Sequence, residues 1–190
     1  PASWYPGDGN ANDIAGGNHG TVQGGTSFPA AKVGQGFQFD SDDDRVTIAH
    51  HANYDVRSPG FTVDFWMRGI KNQPQSLFAV VDKSHGFTDS TGWAFQGNSS
   101  TGQLGFVMGA GGGGSGNFYA VGSVGDLLDG SFHHIAGTWD GGTMRLYVDA
   151  VVQGEASLSA PANNSRSLNV GYAWGGGSAT RFFRGLVDEL

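Results

Sequence analysis

His133–Ala150, HHIAGTWDGGTMRLYVDA, decides the fold. Its side chains alternate on both sides of Asp140-Gly141-Gly142. His134, Ala136 and Thr138 point one way and His133, Ile135 and Trp139 the other; after the turn, Met144, Leu146 and Val148 oppose Arg145, Tyr147 and Asp149. Alternation of strand length about an Asp-Gly turn is a β-hairpin with one face in a core.

The same period recurs upstream. Phe61, Val63, Phe65 and Met67 alternate with Thr62, Asp64, Trp66 and Arg68, which sends the apolar set inward and turns Trp66 outward. The pattern predicts strands over 20–23, 36–39, 46–49, 61–68, 77–82, 93–96, 104–108, 118–121, 132–139, 144–149, 167–170 and 181–190. With no convincing amphipathic helix between them, the expected fold is all-β, a two-sheet antiparallel β-sandwich.

Composition agrees. The chain of 190 residues fits a single domain, and 34 glycines with 14% charged residues suit short strands and tight turns. The net charge of -7 and the presence of lysine only at Lys32, Lys71 and Lys83 argue against a phosphate-binding face, so nucleic acid is not an expected partner. Cysteine is absent, which excludes a disulfide, a thiolate zinc site and a cysteine nucleophile. No apolar run reaches membrane-spanning length, so no membrane insertion is expected. The glycine runs Gly111–Gly114 and Gly175–Gly177 read as loops.

Four segments in order carry a family resemblance: WYPGDGNANDIAGGNHGTV, GFQFDSDDDRVTIA followed by FTVDFWMR, the hairpin above, and RFFRGLVDEL. Together they resemble laminin-G-like jelly rolls of the concanavalin A-like lectin/glucanase superfamily. The resemblance implies one jelly-roll domain over 1–190, a monomeric module excised from a larger extracellular or cell-surface protein and lacking the last few residues of its final strand. It implies a glycan or a surface protein as ligand. Many relatives have Asp-Gly where this chain has Asp149-Ala150, so a different turn type is expected after Val148.

The loop from Asp8 to Gly20 is dense in hard oxygen donors, the ligands calcium prefers, although its spacing is not that of an EF-hand. The resemblance implies a structural Ca²⁺ where the first loop meets the last strand. The expected ligands are Asp8, Asn10, Asp13, Asn18 and Asp188; the alternative is that these residues cap turns. Asp42, Asp43 and Asp44 read as a solvated acidic turn.

A glycosidase needs two carboxylates flanking one bond. The chain has only two glutamates, Glu155 and Glu189, and the neighbours Asp188 and Glu189 diverge on a strand. The His50-His51 and His133-His134 pairs diverge likewise and read as structural, and there is no Gly-x-Ser-x-Gly elbow. No catalytic residue is expected. Trp66, Trp93, Trp174, Tyr119 and Tyr172 are candidate stacking rings, with Asp82, His85 and Asn117 as polar contacts. The expected function is a non-catalytic carbohydrate-binding or adhesion module with a structural calcium; the alternatives are a glycan-active enzyme and a structural spacer.

Overall fold

Alternating strands bury one face each, and here two sheets bury those faces against each other. The computed structural model describes the whole chain except residues 41, 58, 86–88, 115–117 and 175–179. Its strands are β1 (Gly20–Gln23), β2 (Phe37–Asp40), β3 (Arg45–Ile48), β4 (Phe61–Gly69), β5 (Leu77–Asp82), β6 (Trp93–Asn98), β7 (Leu104–Gly109), β8 (Phe118–Gly122), β9 (His133–Trp139), β10 (Thr143–Val148), β11 (Val151–Ser157), β12 (Leu168–Val170), β13 (Tyr172–Trp174), β14 (Thr180–Phe182) and β15 (Arg184–Asp188). One sheet has seven strands in the order β1-β3-β12-β5-β6-β7-β8 and the other six in the order β11-β10-β9-β4-β15-β2; β13 and β14 form a separate hairpin. Among the described residues every ladder is antiparallel, and no helix is long and apolar enough to cross a membrane. This is the β-sandwich that the alternation predicts.

The β9–β10 hairpin lies in the six-stranded sheet, with Trp139 opposite Met144 and Ile135 opposite Val148. Ile135, Met144 and Leu146 are fully buried. Across the interface, Phe65 meets Phe95 edge-on at 5.0 Å, and Phe95 stacks on Phe106 at 4.8 Å. Gly137 of β9 faces this cluster, where a Cβ would lie 2.6 Å from Phe95 and 2.9 Å from Phe106. A bare backbone at that point lets the sheets close to interior packing density.

Four expectations change. Val151–Ser157 is a strand that the alternation does not reveal: β11 is an edge strand, and Val151 and Val152 are 61% and 51% exposed. The predicted strand 181–190 is two strands, β14 and β15, which belong to different ladders. The turn after Val148 is not of another type, because Asp149 and Ala150 both hold positive φ, 50° and 65°, as a two-residue type I′ hairpin requires. Ala150 therefore sits in a region where glycine is at ease and alanine is strained. The acidic turn is not wholly solvated either: Asp44 is 2% exposed and accepts from the Asp40 amide at 2.8 Å. Burial raises its pKa, and the neighbouring Asp40 carboxylate adds to the effect.

Candidate functional site

β5 supplies the residue around which the site is built. Phe78 pairs with Gly97 and Val81 with Phe95, whereas Ala79 pairs with Gln96 and Asp82 with Ala94. Val80 is the extra residue of a β-bulge, after which the parity of the strand reverses. Strict alternation from Phe78 would aim Asp82 into the core; the bulge turns it to the outer face of the sheet. There it pairs with Asn169 of β12, which pairs with Thr47 of β3. Thr47 Oγ1 donates to Asn169 Oδ1 at 3.1 Å, and a polar row thus crosses three strands.

Asp82 is 3% exposed. Burial pushes its carboxyl up to about 6, against the opposing pull of hydrogen bonds from Ser84 and Gln96 and the nearby Arg181 guanidinium. Ser84 Oγ donates to Oδ1 at 2.7 Å and Gln96 Nε2 at 3.5 Å. Arg181, on β14, donates to Gln96 Oε1. The β13–β14 hairpin packs over β5 and walls a cleft of about 360 Å³ lined by Asp82, Ser84, Arg166, Ser167, Asn169, Tyr172 and Trp174.

Aromatic rings and cations are interleaved here. The Arg166 guanidinium lies over the Trp174 ring at 5.0 Å, and the His85 ring stacks near it at 6.3 Å and 24°. Arg45 lies over Tyr172 at 5.1 Å. His85 Nδ1 pairs with Asp89 Oδ2 at 2.5 Å. Trp174 stays 39% exposed.

Lys83, which sequence reasoning did not single out, holds this wall in place. It is 1% exposed, and its ammonium donates to the Asn164 carbonyl at 2.7 Å and to Asn164 Oδ1 at 3.1 Å, with Asp55 at 3.8 Å. Burial lowers its pKa, partly offset by Asp55 and Asp82. Asn164 Nδ2 returns a bond to the Lys83 carbonyl at 2.9 Å, and Asn164 Oδ1 accepts from the Arg166 amide at 2.9 Å. A buried cation thus fixes the loop that presents Arg166.

The predicted contact residues divide. Asp82, His85, Tyr172 and Trp174 come together at this cleft. Trp66 does face outward, but on the six-stranded sheet, between Lys32 at 4.3 Å and His134 at 5.1 Å. Trp93 is a correction: it is 1% exposed and its indole donates to the Tyr54 carbonyl at 2.8 Å, so it is a core residue and offers no ring face to a ligand. Tyr119 lies on the edge strand β8, paired with Met108. Asn117 lies outside the described residues.

The expected calcium ligands are engaged by protein amides. Asp13 accepts from the amides of Gly16 (2.8 Å), Trp4 (2.9 Å), Ala15 (3.0 Å) and Asn18 (3.1 Å). Burial acts to raise its pKa, but these four donors hold it well below the usual carboxylate range. Asn10 closes a local turn by accepting from Asn12 at 2.9 Å, and Asn18 Nδ2 reaches Asp13 at 3.4 Å. Asp8 accepts from Gln35 and Asp188 from Val33, both at 2.8 Å, so the two hold one turn. Asp188 is fully buried with Oδ1 unpartnered, and burial raises its pKa. Among the described residues, the one trio of carboxylates whose oxygens converge within 4.8 Å is Asp40, Asp43 and Asp44. Asp8, Asp13 and Asp188 are not such a trio. The segments near the two chain ends are joined by backbone, the Tyr5 amide to the Leu190 carbonyl at 2.6 Å and the Leu190 amide to the Tyr5 carbonyl at 3.2 Å.

No curated protein sequence matches the chain. Among solved structures it is similar to domain 4 of an extracellular arabinanase from Geobacillus stearothermophilus, in complex with arabinotriose, at 15% identity and a TM-score of 0.71 over 99% of this chain and 89% of that one. It is also similar to a botulinum neurotoxin type C structure whose cell entry depends on two ganglioside molecules (14% identity, TM-score 0.66), covering 94% of this chain but 45% of that one. A third likeness is the binding domain of botulinum neurotoxin DC in complex with rat synaptotagmin II, at 14% identity and a TM-score of 0.65, covering 94% of this chain and 46% of that one. Against these toxin chains the protein spans less than half the length. Residues 40–190 match the laminin-G model of the concanavalin A-like lectin/glucanases superfamily, and the chain belongs to that superfamily.

Proposed function

We propose that this protein is a non-catalytic carbohydrate-binding module whose site is the cleft on the outer face of the seven-stranded sheet. The observation that carries the reading is the lining itself: a carboxylate (Asp82), an amide (Asn169), two hydroxyls (Ser84, Ser167), a guanidinium (Arg166) and a half-exposed indole (Trp174) converge on one concavity. A polyol matches that mixture of hydrogen-bond donors and acceptors in a concavity walled by a partly exposed indole. Among the described lining residues Asp82 is the only carboxylate, whereas hydrolysis of a glycosidic bond uses two. The arabinotriose complex of the arabinanase domain and the gangliosides of the type C toxin support a glycan as the ligand class. We extend the proposal to an extracellular or surface setting, supported by the extracellular arabinanase to which the first of these domains belongs.

A glycan array, followed by calorimetry on the best ligand, tests the reading. The wild-type protein is expected to retain at least one glycan class, and Asn169→Ala to weaken it about tenfold through one lost hydrogen-bonding group. Failure of the wild type to retain any glycan would overturn the proposal.

A further inference from the structure

The faces of the cleft's rings are already engaged. Arg166 lies over Trp174 with His85 stacked beside it, and Arg45 lies over Tyr172, so a pyranose does not find a bare platform on either ring. Arg45 and Arg166 are both part-exposed, and a guanidinium laid on a ring keeps its fork of N–H donors in its own plane. Stacking does not cover that fork and removes much of the conformational freedom that binding would otherwise have to freeze.

The charge is also unusual in its placement. The chain carries a net charge of -7, yet Arg45, Arg166 and Arg181 gather around this one hairpin. None of the three has a carboxylate within 4.0 Å among the described residues, whereas Arg145 on the opposite sheet is held by Asp140 at 2.6 Å and Glu155 at 3.1 Å. Arg68 and Arg184, the other arginines without an ion pair, sit singly, over Phe132 and at the Asn72 carbonyl. The negative groups of the cleft are already engaged within the protein: Asp82 accepts from Ser84 and Gln96 with Arg181 nearby, and Asp89 is paired with His85.

We infer that the cleft selects an anionic glycan, a sugar bearing a carboxylate or a sulfate ester, whose acidic group is received by the forked edges of Arg166 and Arg45. The inference rests on the carbohydrate-binding reading and sharpens it to a ligand class. Carboxylate and sulfate both present paired oxygens to a guanidinium, and the fork–fork geometry gives direction as well as attraction.

The decisive comparison erases the charge and keeps the sugar. Calorimetry with trigalacturonate, its methyl ester and a sulfated galactan oligomer is run on the wild type, Arg166→Gln, Arg45→Gln and, as a control away from the cleft, Arg145→Gln. The wild type is expected to bind trigalacturonate or the sulfated oligomer about tenfold or more tightly than the methyl ester, with the preference shrinking as salt is raised. Which of the two acids binds separates a uronate from a sulfated ligand. Arg166→Gln and Arg45→Gln are expected to remove most of the preference and Arg145→Gln none of it. Equal binding of ester and acid, or confinement of array hits to neutral glycans, would overturn the anionic inference and leave the carbohydrate reading standing. Absence of any hit overturns both. A preference that survives in Arg166→Gln and Arg45→Gln would show that these arginines do not receive the acidic group.

Discussion

The outer faces of the two sheets are built on opposite electrostatic plans. On the six-stranded sheet, charged groups pair with each other: His134 with Asp64 at 3.3 Å, His133 with Asp149 at 2.8 Å and Asp129 at 3.3 Å, and Arg145 with Asp140 and Glu155. On the seven-stranded sheet burial raises the pKa of a carboxyl that no ion pair among the described residues holds down, and arginines rest on rings instead of on acids. The first plan pairs most of its charges, leaving Lys32, Arg68 and Arg184 to sit singly, whereas among the described residues the second gathers three arginines without a carboxylate partner around one hairpin. A surface whose charges are already matched has little to offer a ligand, whereas one that tolerates a perturbed acid and unmatched cations fits a recognition face.

The largest expected effect breaks the support of that face. Lys83→Ala leaves the Asn164 carbonyl and Oδ1 without their buried donor, and is expected to cost about 3 kcal/mol, read by chemical denaturation. Because Asn164 also accepts from the Arg166 amide, ligand binding should fall with stability.

Next comes Asp82→Asn. The folded-state pKa of about 6 lies above the ordinary value of 3.8, so the favourable contribution of the protonated group is complete below pH 4 and is lost as pH rises through 6. Asparagine cannot ionise and escapes that loss. The variant is therefore expected to match the wild type in stability near pH 4 and to exceed it by about 2 kcal/mol at pH 8. An unchanged difference across that range would show that Asp82 does not titrate as its burial requires.

A paired test of the two faces follows. Trp174→Ala removes the seat of Arg166 and is expected to weaken glycan binding about tenfold, while Trp66→Ala, on the opposite sheet, should leave affinity unchanged. Equal losses in both would erase the distinction between the faces. Smaller still, Ala150→Gly relieves a residue held at φ 65° and is expected to add about 0.5 kcal/mol. Last, Arg145→Gln should leave the melting temperature within about a degree, since exposed ion pairs contribute little.

What the sequence disclosed and what it hid separate along physical lines. The β9–β10 hairpin and the inward set of β4 were legible because a strand with one wet face must alternate. Asp82, His85, Tyr172 and Trp174 could be picked out as residue types suited to sugar contact, but nothing in Leu77–Asp82, LFAVVD, distinguishes a regular strand from a bulged one. Apolar residues occupy both parities, because the β13–β14 hairpin covers the outer side as well. Lys83 was invisible for a related reason: its partner Asn164 lies 81 residues away, and only the fold joins them. Trp93 misled because an indole reads alike whether its N–H meets a ligand or, as here, the Tyr54 carbonyl. In the first loop the oxygen chemistry that suits a cation also suits a cluster of amides, and Asp13 is ringed by amides.

The bulge at Val80 has a genetic corollary. Deleting that single codon would leave Phe78 and Asp82 an odd number of positions apart and so on opposite faces of a regular strand, whereas keeping every residue and ironing out the bulge would turn the carboxylate indoors. The placement of Asp82 is thus set by parity: the bulged position could be lost without moving the carboxylate, while one residue gained between the bulge and Asp82 would reverse its face.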